Sequence, residues 1–245
     1  MRLALAVVLA LLATTAAAQE LRVLSGGAAK SLVEPLARSF PHARVEVRYQ
    51  PMGPLVESLA ASGQGGAQVD LVVVTEETLP RLERQNLLKR GAKPIARVGI
   101  GVAVNERAPT PDISTVDAFR RTLLAAKSVV YIDPKVGTSG KHVAEVLERL
   151  GIANEVNAKA RLAQGGYIVE PVGRGEIELG LHQISEILPV KGVKLAGPLP
   201  PELQKYTTYV AAPLAQSRLV LDFIDHLSGP QARARLAQAG YTAPE

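Results

Sequence analysis

The chain has 245 residues, with 28 Lys and Arg against 23 Asp and Glu, a formal net charge of +5, 4% aromatic residues and no cysteine. That length suits one large or two small domains, and the missing cysteine excludes disulfides and thiolate metal sites. The basic residues are scattered and the aromatics sparse, which argues against a nucleic-acid stripe or a stacking platform and leaves a mild positive field suited to a small anionic solute.

The first twenty residues, MRLALAVVLALLATTAAAQE, combine one basic residue, an apolar run from Leu3 to Ala13 and a small-residue close at Ala16-Ala17-Ala18. This is the layout of a secretory signal peptide, expected to be cleaved after Ala18 and so to deliver the protein to the periplasm; a retained leader acting as an anchor is the alternative. Beyond it, short β-branched runs alternate with helical patterns. Leu21–Ser25, Ala43–Tyr49, Val69–Thr75 and Ile95–Val104 read as strands, separated by helices at Ala28–Phe40, Gly53–Ala61 and Leu79–Leu88, with a loop at 62–67. This order predicts a parallel, three-layer α/β unit.

After Asn105 the pattern restarts. Helices are expected at Val116–Ala126 and Ser139–Leu150, with strands at Ser128–Ile132, Glu178–His182, Val193–Ala196 and Tyr206–Ala212. Two helices close the chain, Gln216–Leu227 and Gln231–Ala239, parted by Ser228-Gly229-Pro230, where glycine stops one helix and proline starts the next. These last helices have no sheet of their own, so the economical packing returns them to the first unit. The expected organisation is a signal peptide over 1–18, a discontinuous lobe 1 over 19–98 plus 212–245, and lobe 2 over 99–211, with hinge crossings near 96–103 and 206–212.

Several motifs do not hold up. A P-loop beginning at Leu24 fails because Leu24 and Ala29 stand where glycines are required, and "GTSGKH" at 137–142 has Lys135 at the place of the first glycine. Ser139 is not a nucleophile elbow, since Lys141 replaces its final glycine. His42 and His226 read as surface residues, His142 as part of a solvated helix face, and His182, inside "ELGLHQI", as a buried histidine with its hydrogen bonds satisfied. No metal site, catalytic residue or cofactor is expected.

Three strand-to-helix junctions share one chemistry: Ser25-Gly26-Gly27-Ala28, Pro51-Met52-Gly53-Pro54 and Gly137-Thr138-Ser139-Gly140. Each sets small residues where the N–H groups of a helix start lack internal partners and the helix dipole is positive. Facing one another, such ends form a cage for an anion. Lys30, Lys141 and Arg174 are placed near its mouth, where they would pair with carboxylates or a phosphonate.

The segments "LRVLSGGAAKSLVEPLARSF", "VDLVVVTEETLPRLERQNLL", "VYIDPKVGTSGKHVAEVLERLG", "GRGEIELGLHQISEI" and "LDFIDHLSGPQARARLAQAGY" resemble those of the periplasmic molybdate-binding proteins of ABC transporters, within the type II solute-binding superfamily. The resemblance implies two α/β lobes closing by a hinge over an oxyanion, delivery to an inner-membrane ABC permease, and a monomer. Its two ligand-binding serines fall on Ala28 and Met52, an amide donor on Ser139, a tyrosine on Gln183, a further amide near Gly165, and an alanine after the third strand on Thr75. Two lost hydroxyls and the apolar wall of Met52 favour a small organic anion, a carboxylate or phosphonate, over molybdate. The alternatives are a ligand-sensing module for a kinase or chemoreceptor and, less favoured, an exported hydrolase.

Overall fold

The computed structural model describes residues 19–62 and 68–244. The expected leader, and the expected loop beyond Ser62, lie outside the described residues. Among the described residues nine strands and ten α-helices follow in the order β1 (Glu20–Gly26), α1 (Lys30–Ser39), β2 (Arg44–Gln50), α2 (Met52–Ser62), β3 (Leu71–Thr75), α3 (Leu79–Arg84), β4 (Lys93–Asn105), α4 (Val116–Ala125), β5 (Val129–Ile132) and α5 (Thr138–Arg149). Then come α6 (Ala153–Asn157), β6 (Ala160–Ala163), α7 (Glu170–Gly173), β7 (Leu179–Gln183), α8 (Ile184–Ile187), β8 (Val193–Pro198), β9 (Tyr206–Pro213), α9 (Arg218–Ser228) and α10 (Pro230–Arg235).

The strands form two sheets, each with helices on both faces, as the alternation of side chains along a strand dictates. In β3, Leu71 and Val73 point into one layer with Leu32, Leu36 and Phe223, whereas Val72 and Val74 point into the other with Leu55, Leu59 and Leu82. The same rule divides β5. Val129 and Tyr131 face Phe119, Leu123 and Leu147, and Val130 and Ile132 face Ile168, Val169 and Ile187. The protein is therefore a two-lobed α/β fold of three-layer lobes. The closing helices do return to the first sheet, where Phe223, Ile224, Leu227 and Ala232 share a core with α1.

One expectation needs correction. The first unit is not wholly parallel: β1 pairs in parallel with β2 and β3, but β9 inserts antiparallel beside β3 and β4 pairs antiparallel with β9. The cause is that β9 enters from the second lobe, opposite in direction to β3. Further differences are smaller. The edge strand β6 and the short helices α6, α7 and α8 carry too few residues for a period to be legible. Helix α10 ends at Arg235 because the chain then turns through Gly240 (φ 83) to bury Tyr241. Helices α4 and α9 start at side-chain caps, Thr115 accepting from the Ala118 N–H and Ser217 from the Val220 N–H.

The lobes are joined by β4 and by the segment that leads into β9. Lys93 to Gly99 of β4 pair with β9, while Ile100 to Val104 pair with β7. At this change of partner Gln204 clasps the main chain of Ile100: its Oε1 accepts from the Ile100 N–H at 2.9 Å and its Nε2 donates to the Ile100 carbonyl at 2.8 Å. Gln204→Ala is expected to lower unfolding stability by about 1–2 kcal/mol, the range for lost backbone partners in a half-buried place. Urea denaturation checks this; an unchanged midpoint would mean the clasp contributes nothing.

Candidate functional site

A cavity of about 190 Å³ opens at the carboxyl ends of β1, β2, β5 and β7, between the two lobes. Its position follows the rule that open α/β sheets bind ligands beyond their strand ends. From the first lobe come Gly27, Ala28 and Lys30 after β1, Tyr49 to Met52 after β2, and Tyr209 of β9. From the second come Ile132, Gly137 to Ser139, Gly165 to Tyr167, and His182, Gln183 and Glu186 at the end of β7 and in α8.

Of the fourteen residues expected at the site, Gly27, Ala28, Lys30, Met52, Thr138, Ser139, Gly165 and Gln183 line this cavity. The other six fall outside it for separate reasons. Ser25 is fully buried, its hydroxyl donating to the Gly26 carbonyl. Gly26 lies behind the wall, where a β-carbon would stand 2.5 Å from Met52 Cε. Gly53 is turned toward the second lobe, its N–H donating to the Val136 carbonyl at 3.3 Å. Thr75 spends its hydroxyl on Thr78 Oγ1 at 2.7 Å. Gly140 presses the start of α5 onto the end of β5 so tightly that a β-carbon would be 2.1 Å from the Ile132 carbonyl oxygen. Lys141 is exposed on α5. Arg174 is also away from the cavity, forked onto Glu176.

Lys30 is the one Lys or Arg among the described lining residues. Its Nζ lies 5.5 Å from the centroid of the Tyr49 ring and 5.3 Å from that of Tyr167, so two π-faces from opposite lobes hold the cation at the mouth. Opposite it, Thr138 and Ser139 begin a helix of 12 residues with no side-chain cap, presenting free N–H groups to the cavity. Gln183 is committed elsewhere: its Oε1 accepts from Tyr209 Oη at 3.1 Å and its Nε2 donates to Thr207 at 3.4 Å. Ala28 offers a methyl group while its carbonyl accepts from the Ser185 and Tyr241 hydroxyls, which pins the first loop to α8.

The sequence reading missed His182, Glu186 and the three lining tyrosines. His182 is not a satisfied core histidine. It is 2% exposed; its Nδ1 is 3.5 Å from Ser139 Oγ, and its Nε2 lies 3.0 Å from Glu186 Oε2 but off the hydrogen-bond axis, leaving that nitrogen without a hydrogen bond. The available signal was the spacing of four residues across the β7 to α8 turn, which brings the two side chains together as in a helix. The Tyr49 hydroxyl is likewise buried and unpartnered. His142 is not on a solvated face, since its Nε2 meets the Leu203 carbonyl at 2.7 Å, and His226 is half-buried against the Leu36 carbonyl. His42 is exposed. Among the described residues no group of three or more His, Cys, Asp or Glu could hold a metal ion.

The family model described as bacterial extracellular solute-binding protein matches residues 21–242. A Pseudomonas protein named aconitate isomerase is 30% identical over 204 residues, spanning 81% of this chain and 77% of its own. The molybdate-binding protein of Escherichia coli is 26% identical over 202 residues, 76% of this chain and 74% of its own. Among solved structures, the periplasmic molybdate-binding protein of Azotobacter vinelandii matches with a TM-score of 0.70 at 18% identity, over 92% of this chain and all of that one.

Two outcomes follow from the geometry. A β-carbon on Gly27 would stand 3.0 Å from Glu186 Oε1, so Gly27→Val is expected to fill the cavity and abolish ligand binding with a loss of fold stability below about 1.5 kcal/mol; calorimetric titration that finds unchanged affinity would move the site elsewhere. Burial first, and then the Glu186 charge, pushes the Tyr209 hydroxyl well above its ordinary 10.0; Tyr241 and Tyr49 are raised as well, again chiefly by burial. Unfolded chains release these protons near pH 10 while the folded protein keeps them. The associated stability is thus full below about pH 10 and is lost as pH rises further. Urea midpoints should fall between about pH 9 and about pH 11, and fall less in Tyr209→Phe.

Proposed function

The chain belongs to the bacterial extracellular solute-binding proteins, and we propose that it captures a small organic carboxylate in the cavity between its lobes and hands it to an inner-membrane ABC permease. Its likeness to the molybdate-binding proteins covers the fold and most of the chain. The proposed protein is a periplasmic monomer freed by cleavage after Ala18. Lobe 1 is taken as 19–98 plus 212–245 and lobe 2 as 99–211, with the hinge near 96–103 and 206–212, a division supported by the change of partner along β4 between Gly99 and Ile100.

One observation carries the choice of ligand. The cavity pairs a cation and a free helix start with apolar lining from Ala28, Met52 and Ile132. A dianion such as molybdate leaves water only when donors surround it on every side. Here the methyl of Ala28 and the thioether of Met52 suit carbon instead, while Lys30 and the α5 start suit a carboxylate at one end of it. The likeness to a relative named for the isomerisation of aconitate, an unsaturated tricarboxylate, supports the same class.

In the mechanism proposed, donors from both lobes meet the solute only in the closed arrangement, so the ligand stabilises closure in proportion to its preference for that state. The test is a thermal-shift series on the purified protein with molybdate, sulfate, phosphate, citrate and aconitate. A carboxylate at about 100 times its Kd should stabilise the fold by about 2.7 kcal/mol and raise Tm by several degrees, with molybdate silent. A response to molybdate with none to any carboxylate would overturn the reading. Lys30→Met should weaken carboxylate binding at least about tenfold while leaving the unliganded Tm within a degree or so, since the lost group is a half-exposed cation.

A further inference from the structure

Glu186 is the residue that simple anion capture does not explain. Its side chain is only 10% exposed, it lines the cavity, and among the described residues its carboxylate makes no hydrogen bond. A close polar contact is the misaligned His182 Nε2 at 3.0 Å. A carboxylate in the wall of an anion site repels the ligand and is costly to bury, so it needs a role that outweighs both effects. It is also an acceptor with no donor committed to it, in a cavity whose lining includes the apolar Ala28, Met52 and Ile132. Those are the surroundings in which a carboxylate serves as a base toward carbon, with a nearby histidine and hydroxyl donors as the other recurring parts.

We propose that Glu186 is a catalytic base that moves a proton along the carbon skeleton of a bound unsaturated di- or tricarboxylate, so that the cavity isomerises its ligand as well as holding it. The proposal rests on the capture of an organic carboxylate and adds a chemical step to it. Lys30 and the Thr138–Ser139 helix start hold one carboxylate of the ligand and draw charge toward it. Glu186 removes a proton from the carbon next to the double bond. The C–H electron pair joins the conjugated system that ends in the held carboxylate, and an O–H bond forms on Glu186. While it sits on Glu186 this proton trades with solvent; Glu186 then delivers a proton to the far carbon of the three-carbon unit, the double bond having moved by one position, and is a carboxylate again. Nothing is oxidised or reduced and no water is consumed. His182 is a positioning residue: beside both Glu186 and Ser139, it limits where the carboxylate can stand between the two transfers.

The arrangement of the chain favours this over a ligand hydroxyl donating to Glu186 in a binding role alone. Helix α8 is tied to the first loop by Ser185 Oγ on the Ala28 carbonyl at 2.8 Å and by Ser31 Oγ on the Ser185 carbonyl at 2.9 Å. Glu186 is thereby held against both lobes and does not follow the ligand, which is the rigidity that proton transfer requires.

The test incubates the purified protein with aconitate in deuterated water and follows ligand protons by NMR, with thermal shift run in parallel. Wild type should exchange the proton next to the double bond, and interconvert the isomers, far faster than buffer. Glu186→Gln should bind at least as well, having lost a like charge, yet exchange about 10²–10⁴-fold more slowly. Glu186→Asp, with its carboxylate withdrawn, should keep measurable exchange, and His182→Gln should shift the pH profile of exchange while leaving the thermal shift by aconitate in place. Stabilisation by aconitate without exchange, or wild-type exchange in Glu186→Gln, would overturn the catalytic role and leave the capture reading standing. No stabilisation by any carboxylate would sink the capture reading, and the catalytic role with it.

Discussion

The pairing of one strand with two sheets is the constraint on which the rest depends. Strand β4 gives its first half to β9 and its second half to β7 and β8, so its hydrogen bonds cannot be satisfied unless both lobes are present and correctly aimed. Because β9 makes the second connection and pairs with β3, the two lobes are turned with their strand ends toward each other. Most of the cavity lining comes from such ends and from the loops and helix starts that follow them. The cavity is thus a product of strand pairing far from it.

That chemistry uses few charges. Lys30 is spread over two tyrosine rings from different lobes, which holds it without a carboxylate partner that would cancel its field. The start of α5 is forced against β5 by Gly140, whose missing side chain lets the helix end meet the strand end directly. Ala28 and Met52 supply the carbon-compatible wall. Against this background Glu186 and His182 stand side by side in the lining, with α8 tied to the loop after β1. The cavity therefore combines a fixed positive end with a fixed acceptor, an asymmetry that a symmetric oxyanion would not use.

Much of this was legible in the sequence where signals are local. The run Leu71 to Val74 declared a buried strand, and "DPKVGTSG" declared a strand end feeding a helix, and both are so placed. The junction residues Gly27, Ala28, Met52, Thr138 and Ser139 were found because small residues at helix starts carry their own logic. What escaped depends on contacts distant in the chain. Tyr209 reaches the cavity only because β9 inserts beside β3, and Tyr49 only because β2 ends there. His182 looked like a core residue because its neighbours Leu181 and Ile184 are apolar, and its pairing with Glu186 depends on the abrupt turn from β7 into α8. Gly53 and Thr75 were expected at the site and stand outside the cavity lining, since a small residue at a strand end serves packing as readily as binding.

The hydrogen bond from the Gly53 N–H to the Val136 carbonyl joins the lobes through main chain alone, and Gly165 is packed so closely on Pro51 that a β-carbon there would be 2.7 Å from its ring. A fastening of this kind does not depend on what the cavity contains. Under the proposed closure it would weight the population toward the shut form before any solute arrives, strengthening retention and making spontaneous opening the ceiling on entry. Residence, more than encounter, is then what such a fastening prolongs, and a long residence is also what the proposed proton transfer requires.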